Sequence, residues 1–212
     1  MKLIVISDAG VLENEAVIVT KLFEAGLESF HLRKHKISTR KTKAFISAIP
    51  AHFHNRIIIH SHHNLARHFN LKGIHLTKTH KKRKFRTWLY IKLIKLKNPS
   101  ILITTSYDTI GKLFEANTSP YKYNYVFLSP IFESITSKFQ GGYTTHSLKS
   151  ALAKTEYKVI ARGGVDINAI EKANEIGFEG LAFYNSIWKR KDPVGEFNAI
   201  VEKFQELKIP IE

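Results

Sequence analysis

Cysteine is absent from the 212-residue sequence. Its absence excludes a disulfide framework, a thiolate nucleophile and a thiolate metal site, and it fits a small-molecule enzyme of the cytoplasm without demanding one. Acidic residues are scarce beside basic ones: 18 Asp and Glu face 33 Lys and Arg, a formal charge of +15. Such a balance attracts polyanions. Most of the charge is spread along the chain and reads as a solvated basic face, with only Lys78 to Arg86 forming a dense run. Long apolar runs are also missing. The opening Met1 to Gly10 holds an apolar stretch far shorter than the roughly 20 residues of a membrane span, so a soluble cytoplasmic protein with no membrane partner is expected. There is no low-complexity segment and no linker. With 43% hydrophobic residues, the chain has the means to bury one core of ordinary size, and a single domain over 1–212 is expected.

What is present is an alternation of short apolar runs with longer amphipathic ones, the pattern of repeated βα units. Candidate strands are Lys2–Ser7, Ser29–Arg33, Arg56–His60, Gly73–Leu76, Ser100–Thr104, Tyr125–Ser129, Lys158–Ala161 and Gly180–Phe183. Each is too apolar to have a solvent face, as buried parallel strands are. Helical spacing recurs in Asn14–Ala25, Lys41–Ile49, Asn64–Phe69, Ile110–Ala116, Ser147–Ala153, Ala169–Ile176 and Val194–Leu207. The apolar positions from Phe85 to Leu96 fit either a helix or an extra strand, ended by Pro99. Gly26 and Gly177 each follow a helical pattern and precede a strand, where a left-handed residue ends a helix without Cβ strain. Eight strands predict an α/β fold, a single (β/α)8 TIM barrel; a flavodoxin-like doubly wound sheet would give a similar string from fewer strands.

In a βα barrel the chemistry sits where strands end. Those ends carry His31-Leu32-Arg33-Lys34, His60-Ser61 followed by Asn64, Gly73-Ile74-His75-Leu76 and Thr104-Thr105-Ser106. The second half continues with Ser129-Pro130-Ile131-Phe132-Glu133-Ser134 and Lys138, then Arg162-Gly163-Gly164-Val165, and Asn185-Ser186-Ile187 after the last strand. Taken in order, the set resembles the signatures of thiamine phosphate synthases and the related thiazole tautomerases, over nearly the whole chain.

The resemblance implies condensation of a hydroxymethylpyrimidine diphosphate with a hydroxyethylthiazole phosphate to thiamine phosphate and pyrophosphate, through a dissociated pyrimidine cation. Arg33 matches the family's arginine, whose planar fork suits a leaving diphosphate. Lys138 is a second cation for that group, in register only if one residue is inserted in 133–137. Ser106 falls where a family serine meets pyrophosphate, and Ser134 and Thr136 where threonines meet the thiazole phosphate. Gly163 and Gly164 offer backbone N–H groups at the seventh strand's end, and Asn185 and Ser186 follow strand eight; a phosphate is expected there. A plain helix N-cap is the alternative for Asn185 and Ser186.

The sequence departs from the family where the resemblance implies Mg²⁺. The two family aspartates, after strands three and four, are matched here by Ser61 and His80, and His31, His60 and His35 replace a glutamine, an asparagine and a lysine. Mg²⁺ would then be held chiefly by substrate phosphate oxygens and water. His60, His62, His63, His75 and His80 are expected to approach one another, either as protonated partners of a diphosphate or, more remotely, as Zn²⁺ ligands, although no zinc-motif spacing supports a metal set. His75, inside a strand, reads as packed and hydrogen-bonded. Pro130 stands where the tautomerase branch has its proton-transferring histidine. Two other readings remain open: a tautomerase-like or catalytically silent barrel that binds a thiamine precursor, and a nucleic-acid-binding protein using Lys81, Lys82, Arg83, Lys84 and Arg86 with Trp88 or Tyr90 stacking on bases. Phosphorylated pyrimidine and thiazole molecules are the expected partners, and a homo-oligomer is expected.

Overall fold

The computed structural model describes residues 1–8, 10, 12–34, 37–132 and 143–212. Eight strands close into a barrel in sequence order, with β1–β8, β2–β3, β3–β4, β6–β7 and β7–β8 paired in parallel. The strands are β1 (Lys2–Ile6), β2 (Ser29–Leu32), β3 (Ile57–Ile59), β4 (Gly73–Leu76), β5 (Leu102–Tyr107), β6 (Tyr125–Leu128), β7 (Val159–Arg162) and β8 (Gly180–Phe183). The helices are α1 (Glu15–Glu24), α2 (Thr39–Ser47), α3 (Lys78–Lys82), α4 (Lys84–Lys97), α5 (Ile110–Phe114), α6 (Thr145–Lys154), α7 (Ala169–Ile176), α8 (Asn185–Trp188) and α9 (Pro193–Glu206). The chain is a (β/α)8 TIM barrel, and among the described residues no helix is long and apolar enough to cross a membrane.

The residues divide into two compact units, one of Ile6–Thr104 and one of Met1–Val5 with Thr105–Glu212. In the first, β3 is three isoleucines with no exposed surface, β-branched residues that favour a pleated, two-sided burial. Its register sets Leu32 beside Ile59 and Ile59 beside Ile74. Helix α1 buries Val19, Leu22 and Phe23, each worth roughly 1.5–3 kcal/mol by removal from water. Gly73 has no room for a Cβ, which would lie 2.7 Å from the Leu102 carbonyl oxygen.

In the second unit, β8 pairs with both β1 and β7, and a Cβ on Gly180 would come within 2.5 Å of the Lys2 carbonyl oxygen. Helix α7 ends on Gly177, whose φ of 98° no β-branched residue tolerates. Asp192 caps α9 by accepting from the N–H groups of Val194 and Gly195, with Pro193 in the first turn where its missing donor costs nothing. The phenol of Tyr125 has no contact with solvent, and burial raises its pKa.

Three expectations shift. Residues 64–69 do not form an α-helix: His63–Arg67 is a short 3₁₀ turn, entered through His62 at φ 53°. The segment from Phe85 to Leu96 is helical, because Thr87, Ile91 and Ile94 recur at helical spacing as its buried seam, a pattern no strand could use. The fifth strand begins and ends later than Ser100–Thr104, running through Tyr107.

Candidate active site

In the first unit, the end of β1 and the end of β2 are tied together by Ser7. Its buried hydroxyl oxygen accepts from the Arg33 N–H at 2.8 Å, so the backbone that carries the arginine is fixed while its side chain stands half-buried. The next residue, Lys34, forms a buried ion pair with Glu15 at the start of α1 and donates to the Gly10 carbonyl at 2.6 Å. The Asp8 N–H donates to the same carboxylate at 3.1 Å. Burial raises the Glu15 pKa, while Lys34 and the Asp8 N–H oppose that rise. This pair is a structural element that sequence spacing did not single out; the signal was an acid directly before the apolar run Ala16–Val19.

The histidines do not gather as one group. His31, His60 and His75 come together, all buried, from the adjacent strands β2, β3 and β4. His31 Nδ1 and His60 Nε2 share a hydrogen bond at 2.9 Å, and the His60 and His75 rings stack at 4.0 Å and 14°. His75 Nδ1 is hydrogen-bonded to Thr104 Oγ1 at 2.9 Å, so the packed role expected for it stands, though beside other imidazoles.

A second group is the stacked pair His63 and His80, with ring centroids 4.3 Å apart. The His63 Nε2–H donates to the His75 carbonyl at 3.2 Å; burial, then the charge of His80, drives its pKa down to about 3. His80 Nδ1 accepts from both the N–H and the hydroxyl of Thr77, and burial followed by the charge of Arg83 lowers its pKa as well. Desolvation and neighbouring cations thus disfavour the charged form of both rings in the protein alone, and the expected imidazolium role needs a bound diphosphate to favour it. Both rings line an open cleft of about 250 Å³ with Arg83, Arg86, Tyr90 and Ile91. His62 belongs to neither group: its Nε2–H donates to the Ile37 carbonyl at 2.7 Å, and Nδ1 accepts from Thr39. Ser61 is half-buried after β3. On α4, Trp88 and Tyr90 are exposed, with Lys92 and Arg86 over their rings at 5.6 Å and 5.9 Å.

In the second unit, Ser106 is half-buried within β5 rather than beyond it. Gly163 and Gly164 have consecutive positive φ values of 86° and 67°, and a Cβ on Gly163 would lie 3.0 Å from Pro130. Conformation favours glycine at both positions, and space does so at Gly163. The Phe132 N–H donates to the Gly163 carbonyl at 3.0 Å, which holds the β6 and β7 ends together. The Ser186 hydroxyl donates to the Val165 carbonyl at 3.1 Å, fastening α8 to the same turn. The N-cap of α8 is Tyr184, with Asn185 as the first helical residue, so neither Asn185 nor Ser186 is the cap. His35, Ser134, Thr136 and Lys138 lie outside the described residues.

The donors at the ends of β3 and β4 are imidazoles and hydroxyls, and no Asp or Glu occurs between Glu28 and Asp108. Mg²⁺ demands oxygen ligands in near-octahedral array, one or two of them carboxylates, so these residues do not fit it. An acid-free stretch of this length was visible in the sequence as a whole, beyond the two positions compared one at a time.

Fold and strand ends define a βα-barrel with polar groups at the carboxyl ends of its strands. Residues 3–187 match the thiamine monophosphate synthase family, and the chain belongs to it. A thiamine phosphate pyrophosphorylase from Bacteroides thetaiotaomicron is similar over 97% of this chain and 98% of its own, at 26% identity and a TM-score of 0.76. One from Pyrococcus furiosus shares the fold at 16% identity and a TM-score of 0.74, over 97% of this chain and 96% of its own. KGPDC from Streptococcus mutans shares it at 10% identity and a TM-score of 0.68, over 97% of this chain and 98% of its own. Among curated proteins no sequence matches this chain.

Proposed function

We propose that the chain is a thiamine phosphate synthase of the diphosphorylase type, a transferase that joins hydroxymethylpyrimidine diphosphate to hydroxyethylthiazole phosphate and releases pyrophosphate, acting as one barrel domain in the cytoplasm. The observation that carries the reading is membership of the thiamine monophosphate synthase family over residues 3–187. Its chemistry follows from where charge builds. As the bond from the pyrimidine methylene to the diphosphate oxygen breaks, negative charge grows on the leaving group, and a fixed cation lowers the barrier. Arg33 takes that role, on a backbone pinned by Ser7. Ser106 donates to the departing pyrophosphate, and Lys138 adds a second charge. His31, His35, His60, Ser61 and His80 serve the pyrimidine and its diphosphate. The thiazole phosphate is met by the Gly163–Gly164 turn, by Ser134 and Thr136, and by Asn185 and Ser186 after β8.

One observation favours a second reading. The acid-free stretch between Glu28 and Asp108 removes the carboxylates that would hold Mg²⁺ against a diphosphate, which suits a barrel that binds a thiamine precursor without turnover. The two readings separate in one assay: purified protein with both substrates, with Mg²⁺ or chelator, followed by mass spectrometry of thiamine phosphate. Product that falls by about 100-fold or more in Arg33→Ala supports the synthase, on the order expected for one removed transition-state donor. Thiazole phosphate bound without product supports the silent barrel.

A further inference from the structure

We infer that His31, His60 and His75 form a binding site for one borderline divalent transition-metal ion of the Zn²⁺ or Co²⁺ kind. The ligand atoms of the three rings all lie within 4.8 Å of one another. A tetrahedral ion with bonds of about 2.0–2.1 Å sets its ligand nitrogens roughly 3.3 Å apart. His31 Nδ1 and His60 Nε2, now 2.9 Å apart across a shared proton, open slightly as the ion displaces that proton, while the His60 and His75 rings, stacked at 4.0 Å and 14°, turn out of the stack so that both lone pairs meet the ion.

The placement is a consequence of the sheet. His31 sits between Phe30 and Leu32, so strand alternation turns its side chain to the opposite face from theirs. Ile59 pairs with Ile74, which sets the following residues His60 and His75 abreast. His31 and His75 are thus carried on β2 and β4 and His60 directly follows β3, and none exposes more than 6% of its surface. Burial keeps these imidazoles desolvated, so ring rotation, with no shift of the strands, is the rearrangement that binding requires.

Thr104 supplies the outer support. Its hydroxyl engages His75 Nδ1 at 2.9 Å, fixing the ring and leaving Nε2 as the ligand atom, the arrangement in which metal-bound histidines are commonly oriented. The ion class follows from the donors. Neutral imidazoles suit Zn²⁺, Co²⁺ or Ni²⁺ and not Mg²⁺ or Ca²⁺, and the chain has no cysteine thiolate to draw a metal elsewhere. Three protein ligands leave a fourth position for water or a ligand oxygen, the pattern of open rather than structural sites. The site stands on its own geometry and holds whether or not the chain turns over thiamine precursors.

The test is equilibrium binding to tag-free protein stripped with chelator, using Co²⁺ alone and reading its visible d–d absorption, with Zn²⁺ as competitor. One ion per chain is expected, displaced by Zn²⁺, with the intensity of a four- or five-coordinate ion. Thr104→Val is expected to weaken binding by about 10–100-fold, as loss of an outer-shell partner does. His60→Gln should weaken it further, whereas His68→Gln, at an exposed histidine, should leave it unchanged. Wild-type protein that binds no Co²⁺ at one equivalent overturns the proposal without any variant. So does binding that survives His60→Gln and disappears with His80→Gln, which would place the ion at the other histidine pair.

Discussion

The two units of the barrel handle charge in opposite ways. In Ile6–Thr104 the acids are confined to Asp8, Glu13, Glu15, Glu24 and Glu28, and the unit holds every histidine except His146. Its ion pairs include one with both side chains almost fully buried, Lys34 with Glu15. In the other unit acids and bases are interspersed, and the pairs are partly or fully exposed: Lys112 with Asp108, Lys158 with Glu179, Arg190 with Glu196, Lys203 with Glu206. Exposed pairs contribute little, since solvent screens them and two long side chains must be ordered. The lesson is that net charge says little about a site. What matters is which charges are removed from water and what is left to balance them.

The largest effect is expected at Lys34. Lys34→Met leaves the Glu15 carboxylate buried and unpaired, and urea denaturation should show a loss of about 3–5 kcal/mol, much of it recovered in the double variant with Glu15→Gln. A loss under about 1 kcal/mol would mean that the pair is solvated in solution. In the second unit the counterpart is steric. Gly163→Ala places a Cβ 3.0 Å from Pro130 at a φ of 86°, at a cost of about 1–3 kcal/mol and with loss of phosphate affinity.

A third test uses pH. The His63 pKa falls from 6.5 to about 3 on folding, so the unfolded chain takes up a proton that the native one refuses. The stability this contributes is present above pH 6.5 and declines as pH falls towards 3, at up to about 1.4 kcal/mol per pH unit. His63→Gln should flatten the stability profile across that window; an unchanged slope would move the acid sensitivity to another group. The smallest effect belongs to the exposed pair. Lys112→Ala should leave the urea midpoint unchanged, whereas a clear shift would contradict the contrast between the two units.

Much of the barrel was legible because buried parallel strands are nearly continuous apolar runs, and runs such as Ile57-Ile58-Ile59 suit no solvent-facing element. Helix α4 was not, since its buried seam is only Thr87, Ile91 and Ile94, and the apolar residues Phe85, Trp88, Leu89 and Leu96 lie exposed. Arg33 and the Gly163–Gly164 turn were visible as local motifs. The grouping of the histidines was not, because it depends on register: Ile59 beside Ile74 brings His60 to His75, while the left-handed His62 turns aside to Ile37 and Thr39. Glu15 with Lys34 was missed for the same reason, as partners distant in sequence are joined only when strand and helix ends are placed.

The proposed function divides the labour between Arg33, which serves the diphosphate, and the Gly163–Gly164 turn, which serves the thiazole phosphate. Calorimetric titration of each ligand into wild-type, Arg33→Ala and Gly163→Ala protein tests it most directly. Arg33→Ala should lose the pyrimidine diphosphate and keep the thiazole phosphate, and Gly163→Ala should do the reverse; variants that lose both ligands equally, or neither, would rule out such a division.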